Sequence, residues 1–566
     1  MELPVLKPYR KASKKFILDF LGYNANPVPR EGEFSDMKNL SSDYFPCISP
    51  RGSRQELIDI SNNYADERNA ILSRNDKLAW VDGDKLYYGT ADDNEDVGTV
   101  DDTAGLKRSL VAMGGKTLIF PDKKCFHVDP PKTRGEYYGE LIDTPTPDLE
   151  FKIVLNDVHE FTDSKIFFVK ASGTNHTLGD GLRIGDTVTI TVSRTGQSDE
   201  RITAVSDSNV FLYFDSELEE FLYAFFPEVW PATHLSYIKF KEGTFTPEDN
   251  LTGVSVTIHR NVPAIDYAIT NDNRCWGVKG SDIYASKQGD PFNWNQFQGI
   301  LTDSYATDVD TNGDFTGAAV YSGNPVFFKE DYIHRVYGNK PSNYQIVTAQ
   351  AYGVQNGAYK TLVNINNTLF YMSRVGVMAY NGGYPTLISD NFGATKYQGI
   401  SAGTDGRKYY LSLKDLDSNS YKLFVYDTLK NLWHLEDTMQ AICFSYSDGD
   451  FYMLNATKGK IELIGAGTEA VEWEATLGEF NEVIDDKKGY SKLSLRVDLD
   501  RASELNVLIK YDNSEWITVK SVAGGDKRVI EVPIVPLRCD TFQIKLTGKG
   551  FCKVYSLNRE FVFGGR

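Results

Sequence analysis

The stretch Asp308-Val-Asp310-Thr-Asn312-Gly313-Asp314 is the first place where residue type and spacing suggest chemistry. Oxygen-bearing side chains at alternating positions, with a glycine at the sharp bend, can wrap a hard cation. Asp308, Asp310, Asn312 and Asp314 would then be ligands in the manner of an EF-hand-type calcium loop. The bidentate glutamate that such a loop needs at its twelfth position is missing, because Ala319 stands there, and no helical pattern flanks the segment. The same residues also make an Asp/Asn/Gly turn leading into a strand, and that is the preferred reading. Calcium is therefore the one cofactor the sequence admits, and otherwise none is expected.

A second segment, Ser286-Lys-Gln-Gly289-Asp290-Pro-Phe-Asn-Trp294, approaches the Asp-box turn of sialidase-like propellers, with Gln288 where that turn wants aspartate. Such a turn is structural, and Trp294 is expected to plug a space between sheets. Glycoside cleavage needs two carboxylates about 5–9 Å apart, one with a raised pKa. Among 78 acidic residues no spacing singles out a pair. The seven histidines (His127, His159, His176, His234, His259, His334 and His434) form no HxH or HxxxH pair, which gives no metal centre. GxSxG, GxxxxGK[ST] and a helix-opening GxGxxG are absent. No catalytic residue is assigned, and the expectation is a protein that is not an enzyme.

The elements that would carry these residues are hairpins. Seven times a short apolar strand meets a tight turn and then an aromatic-rich strand. The turns fall at Asp82-Gly83, Gly114-Gly115, Asp272-Asn273, Gly323-Asn324, Asn366-Asn367, Asp405-Gly406 and Asp448-Gly449. These pairs tolerate positive φ, as favoured hairpin turns require. Most copies are followed by a third strand, such as Tyr332-Ile-His-Arg-Val336. A spacing near 40 residues per antiparallel unit is that of a β-propeller blade. The sequence thus predicts an all-β chain: a propeller of about seven blades over 56–131 and 263–465.

The long gap between the second and third turns holds a further β segment, Gly181–Val192, and then Val210–Phe214. Residues 132–262 are read as a small β-barrel inserted in a loop, where insertions are best tolerated. The stretch Ser216–Phe226 fits a helix or a strand equally. From 466 to 566, period-two segments such as Leu493–Leu499 and Glu504–Tyr511 predict a C-terminal β-sandwich. Residues 1–55, proline-rich and without period, read as an extended N-terminal arm. The 33 Tyr, 32 Phe and 47 Gly of the 566 residues fit blades and turns. Six scattered cysteines without a CxxC pair read as buried thiols in a chain made in a reducing compartment. The start lacks a signal-peptide pattern, and no apolar run would span a membrane. The net charge of −18 argues against a protein that grips nucleic acid through its phosphates, but is compatible with DNA as a neighbour that slides past.

Three segments carry a resemblance to virion proteins of tailed bacteriophages. Phe34–Gly52, with Asn39-Leu40, Pro46, Pro50 and Arg51-Gly52, is similar to an N-terminal segment of head-to-tail and tail structural proteins. Asp282–Trp294 is similar to a blade element of such proteins, and Pro536–Gly550 to the sandwich that ends them. The layout of arm, propeller and sandwich resembles the tail-nozzle, packaged-DNA-stabilising proteins of short-tailed phages. That resemblance implies a non-enzymatic ring of identical subunits in the virion tail or neck, made in the host bacterial cytoplasm. Its partners would be portal, adaptor or other tail proteins, with no membrane during assembly, and the genome would pass without tight binding. Arg51 and Arg54 are the implied assembly contacts of the arm. The alternative of a different class is a glycan-binding or glycan-cleaving propeller at the tail tip.

Overall fold

The computed structural model describes residues 12–563 apart from 61–68, 75–76, 101–107, 129–137, 142–148, 261, 295–296 and 298; between 138 and 260 it describes the backbone of nine strands. The fold is all-β, with seven four-stranded antiparallel sheets in a seven-bladed propeller arrangement. Blade 1 spans 71–99, blade 2 spans 109–141, blade 3 spans 267–308 and blade 4 spans 317–350. Blade 5 spans 363–387, blade 6 spans 397–437, and blade 7 joins 441–464 to 54–59. An eight-stranded closed barrel, 149–260, is inserted between blades 2 and 3. It begins later than the sequence suggests, since Tyr138–Leu141 is the fourth strand of blade 2. Phe221–Ala224, within the stretch that sequence left open, is a barrel strand.

The chain divides into two compact units: 1–83, 87–95 and 351–566 in one, 84–86 and 96–350 in the other, with the boundary inside blade 1. In each unit the first strands of successive blades are neighbours, so they form the inner layer. The hairpin turns work as their residue types demand: Asp272 and Asn273, and again Asn366 and Asn367, all have positive φ. In blade 4 the turn falls one residue earlier than expected, at Ser322-Gly323. Asp405 closes its turn differently, its carboxylate accepting the amides of Arg407 and Lys408 at 2.9 and 2.7 Å.

Blades pack through interleaved side chains. Trp294 lies with Leu118, Phe120 and Cys125 of blade 2 and Cys275 of blade 3, its indole N–H donating to the Pro291 carbonyl at 2.8 Å. It is thus the plug the sequence suggests. Trp276 of blade 3 packs against Phe327 and Val336 of blade 4. In the other unit Tyr410, Phe444 and Phe451 join blades 6 and 7.

The C-terminal sandwich is built on one long strand, Lys488–Tyr511. Its alternate residues Leu493, Leu495, Val497, Leu505, Val507 and Ile509 are buried. Its first half pairs with Cys552–Phe563 and its second with Phe542–Lys549, while Ile517–Pro533 runs along both; the register breaks between Leu499 and Glu504.

The extended N-terminal arm is corrected by the structure. Ser13–Ile17 pairs with Cys552–Phe563, Glu33–Lys38 pairs with Glu472–Leu477, and Arg54–Asp59 supplies the fourth strand of blade 7. These strands are too short, and too interrupted by Pro27 and Pro29, to show a period of their own. Tertiary partners rather than local propensity make them strands.

Candidate functional site

The calcium-loop residues come first. Asp308, Asp310, Asn312 and Asp314 are exposed, and among the described residues no group of acidic, histidine or cysteine side chains could hold a metal ion. The structure supplies a physical reason. The buried side chain of Lys329 reaches under the loop, its Nζ donating to the carbonyl of Thr311 at 2.6 Å and lying 3.4 Å from that of Val309. It also lies 5.0 Å from the centre of the Phe315 ring. The carboxylates of Asp308, Asp314 and Asp310 offset part of the burial that lowers its pKa. A lysine ammonium therefore serves as the cation of this loop. Beside it, His334 is held by Thr311 and Thr348 at 3.1 and 2.8 Å, and burial, with the Lys329 charge, pushes its pKa down to about 4.

Arg51 and Arg54 do anchor the N-terminal segment, but to this chain's own blade 6. Arg54 donates to Glu436 at 2.6 Å and to Asp437 at 2.8 Å, with only 6% of its side chain exposed. Arg51 donates to Asn39 at 2.8 Å and lies 3.5 Å from Glu436. Neither guanidinium is free for a neighbouring subunit. The Asp-box-like turn is likewise structural: Arg274, fully buried, donates to the carbonyls of Ser286, Leu301, Thr302 and Asp303 and so fixes the 286–303 loop.

The inner layer offers no acid pair. The first strands of the seven blades, Ile71–Arg74, Ser109–Met113, Tyr267–Asn271, Gly317–Tyr321, Val363–Ile365, Tyr397–Thr404 and Ala441–Ser447, contain neither Asp nor Glu. Asp36, whose carboxyl burial pushes up, belongs instead to the terminal sheet, near Glu474 and Lys545. The surplus of acidic residues thus lies elsewhere than on these strands.

Among the described residues, blade 4 holds a group with unspent binding capacity. On its third strand, Tyr332–Tyr337, alternation puts Arg335 and Tyr337 on one face. Register places Val326 of the second strand and Val347 of the fourth opposite Arg335, and Gln345 opposite Tyr337. Tyr321, at the end of the first strand, belongs to the same face through the pairing of Ala319 with Val326. The Arg335 guanidinium carbon lies 4.9 Å from the centre of the Tyr321 ring and 4.7 Å from that of Tyr337. Each such contact stabilises by about 0.5–2 kcal/mol depending on solvent access. Among the described residues Arg335 has no carboxylate and no hydrogen-bond acceptor, and its Nε is buried without a partner. Tyr337 is 38% exposed, Val347 54%, and Gln345 is exposed. The exposed part of the face is therefore one aromatic ring and a fixed cation beside apolar and amide groups, with Tyr321 and Val326 buried behind them. Sequence reading took Tyr332–Val336 only as a third strand. The signal it passed over was an arginine and a tyrosine two residues apart on one side of a strand.

No family model matches the chain, and no curated protein matches it. Solved structures that align with it include an exo-β-1,3-galactanase from Phanerochaete chrysosporium with β-1,3-galactotriose, at 8% identity and a TM-score of 0.17, covering 89% of this chain and 99% of that one. A second galactotriose complex gives 9%, 0.19, 90% and 100%. The same enzyme with galactose gives 9%, 0.17, 90% and 100%. At that similarity nothing of the galactanase's activity passes to this chain. These are structures of a sugar-bound enzyme. The expectation of a non-enzymatic virion ring of the nozzle or neck is corrected accordingly, and its glycan alternative is the reading carried forward.

Proposed function

We propose that the protein is a glycan-binding β-propeller that holds sugar without cleaving it, and that Tyr337 and Arg335 of blade 4, with the buried Tyr321 ring behind the guanidinium, form its contact surface. The observation that carries this reading is the exposed Tyr337 ring beside a guanidinium with no partner of its own. Sugar rings present C–H faces that stack on aromatics and hydroxyls that bond to guanidinium and amide groups, which are the groups offered here. Binding without cleavage is supported by the acid-free first strands of the blades, since hydrolysis asks for a close carboxylate pair. The resemblance to tailed-phage virion proteins supports a setting at a bacterial surface, with the propeller as a receptor-recognising component of a tail tip.

The test is a glycan array with the full chain, followed by calorimetry on the best ligand. Tyr337→Ala is expected to weaken that ligand about tenfold, the loss of one stacking contact, with stability lowered by no more than the lost Arg335 contact, about 0.5–2 kcal/mol, and no reducing ends released. An array without a ligand, or equal binding by Tyr337→Ala, would overturn the proposal. Sugar release would overturn its non-catalytic part.

A further inference from the structure

We infer that the blade 4 face selects glycans bearing an oxyanionic substituent, a carboxylate or a sulfate, over neutral ones; this rests on the glycan-binding reading above. The other described arginines of this chain that are not solvent-exposed are held by defined partners. Arg54 is forked onto Glu436 and Asp437 and Arg559 onto Glu482, while Arg108 is paired with Asp122 through Nε and Arg407 with Asp427 through one nitrogen. Arg274, without a carboxylate, donates through Nη1 and Nη2 to backbone carbonyls. Acidic residues outnumber basic ones, 78 to 60, and a carboxylate within reach is the ordinary outcome for a guanidinium that is not solvent-exposed here.

Arg335 departs from that pattern. Its neighbours across the sheet are Val326 and Val347, and its charge rests on the Tyr321 and Tyr337 rings alone. Ring faces attract a cation but accept no N–H bond along its edge, so the planar fork of donors stays unused. The buried Nε of Arg335 lacks an acceptor, as do those of Arg54, Arg274 and Arg407, but those three bond through their other nitrogens and, among the described residues, Arg335 does not. The two rings also hold the guanidinium in place before any ligand arrives, so little side-chain freedom is lost on binding. A fixed, planar, unpaired fork beside an exposed ring suits a sugar whose ring stacks on Tyr337 while its oxyanion takes the fork in two parallel hydrogen bonds.

The experiment measures binding of the full chain, by calorimetry, to three oligosaccharides of matched length: a polyuronate, a sulfated neutral backbone and that same backbone unsulfated. The expected result is binding at least about tenfold tighter for an anionic member than for the neutral one, weakening with added salt. Arg335→Gln is expected to abolish the preference, and Arg335→Lys, which keeps the charge but not the fork, to retain only part of it. The uronate and sulfate arms tell which oxyanion is meant. Equal affinity for all three, or a preference that survives in Arg335→Gln, overturns the inference. If the neutral sugar binds as well and is lost in Tyr337→Ala, the glycan-binding reading stands while this one falls. If none binds, both fall. Binding of the neutral oligosaccharide by Arg335→Gln at wild-type strength controls for folding, since it shows that lost preference is not lost structure.

Discussion

Arg54 offers the sharpest test of how the N-terminal segment is held. Arg54→Met keeps most of the side-chain volume and removes the fork that donates to Glu436 at 2.6 Å and Asp437 at 2.8 Å. Those carboxylates are only 5% and 16% exposed, so they cannot recover full hydration. Removing one partner from a buried ion pair costs about 3–5 kcal/mol. Arg51, at 3.5 and 3.6 Å from the same two carboxylates, supplies part of the missing countercharge. The lower end, about 3 kcal/mol, is therefore expected, close to 150-fold in a local opening equilibrium. The element that should open is the closing strand of blade 7, Arg54–Asp59 on Lys460–Ile464. Hydrogen exchange resolved by segment is the suitable assay, because a chain with several units need not unfold in one step. Exchange across those strands should accelerate about 100-fold, and should return toward wild type when Glu436→Gln and Asp437→Asn are added to remove the orphaned charges. Exchange within about threefold of wild type would refute the clasp. So would a defect confined to subunit association with the strand still protected.

Two further outcomes follow from the buried cluster of blade 4. If the Lys329 ammonium is the cation of the 308–314 loop, calcium at about 1 mM should leave the wild-type melting temperature unmoved; Lys329→Met, which strands the Thr311 carbonyl, should cost about 1–3 kcal/mol. A calcium-dependent rise in the wild type would sink that assignment. The second concerns acid. Burial holds His334 down to about 4 and His434 down to about 3, against about 6.5 for a free side chain. Between those values the unfolded chain binds protons that the native chain refuses, so stability is complete above about pH 6.5 and declines as pH falls toward 4 and then 3, by at most about 3 kcal/mol for His334. Urea midpoints measured at neutral and mildly acidic pH in wild type and in His334→Gln would check this, an unchanged pH slope in the variant counting against it.

What sequence made legible was whatever is repeated locally. A two-residue turn with its flanking strands is specified within a dozen residues, and Asp272-Asn273 and Asn366-Asn367 declare it by side-chain type alone. The fourth strands were less visible. Arg54–Asp59 becomes a strand because Lys460–Ile464, some 400 residues away in the chain, offers it an edge. No pattern inside those six residues announces the fact. The same limit governs charge. Arg51 and Arg54 read as assembly contacts because Glu436 and Asp437 are remote in sequence, and Lys329 is placed under the 308–314 loop only by the second strand of blade 4 ending there.

That limit also works in the other direction, and it is why blade 4 matters for function. A cation is informative only when its environment is known: Arg54 and Arg335 are the same residue type, yet one is neutralised inside the fold and the other is not. In an acidic chain an unpaired guanidinium is a choice of neighbours, here Val326, Val347 and two tyrosine rings, none of which can accept its N–H bonds in the guanidinium plane. Replacing Val347 by glutamate would supply that missing acceptor from within the sheet, since it lies directly across from Arg335 on the exposed outer strand. If the face is a receptor for oxyanions, this internal carboxylate would occupy the fork and compete with the ligand while leaving Tyr337 in place. Were the arginine there only to support the rings, the same change would leave binding as it was.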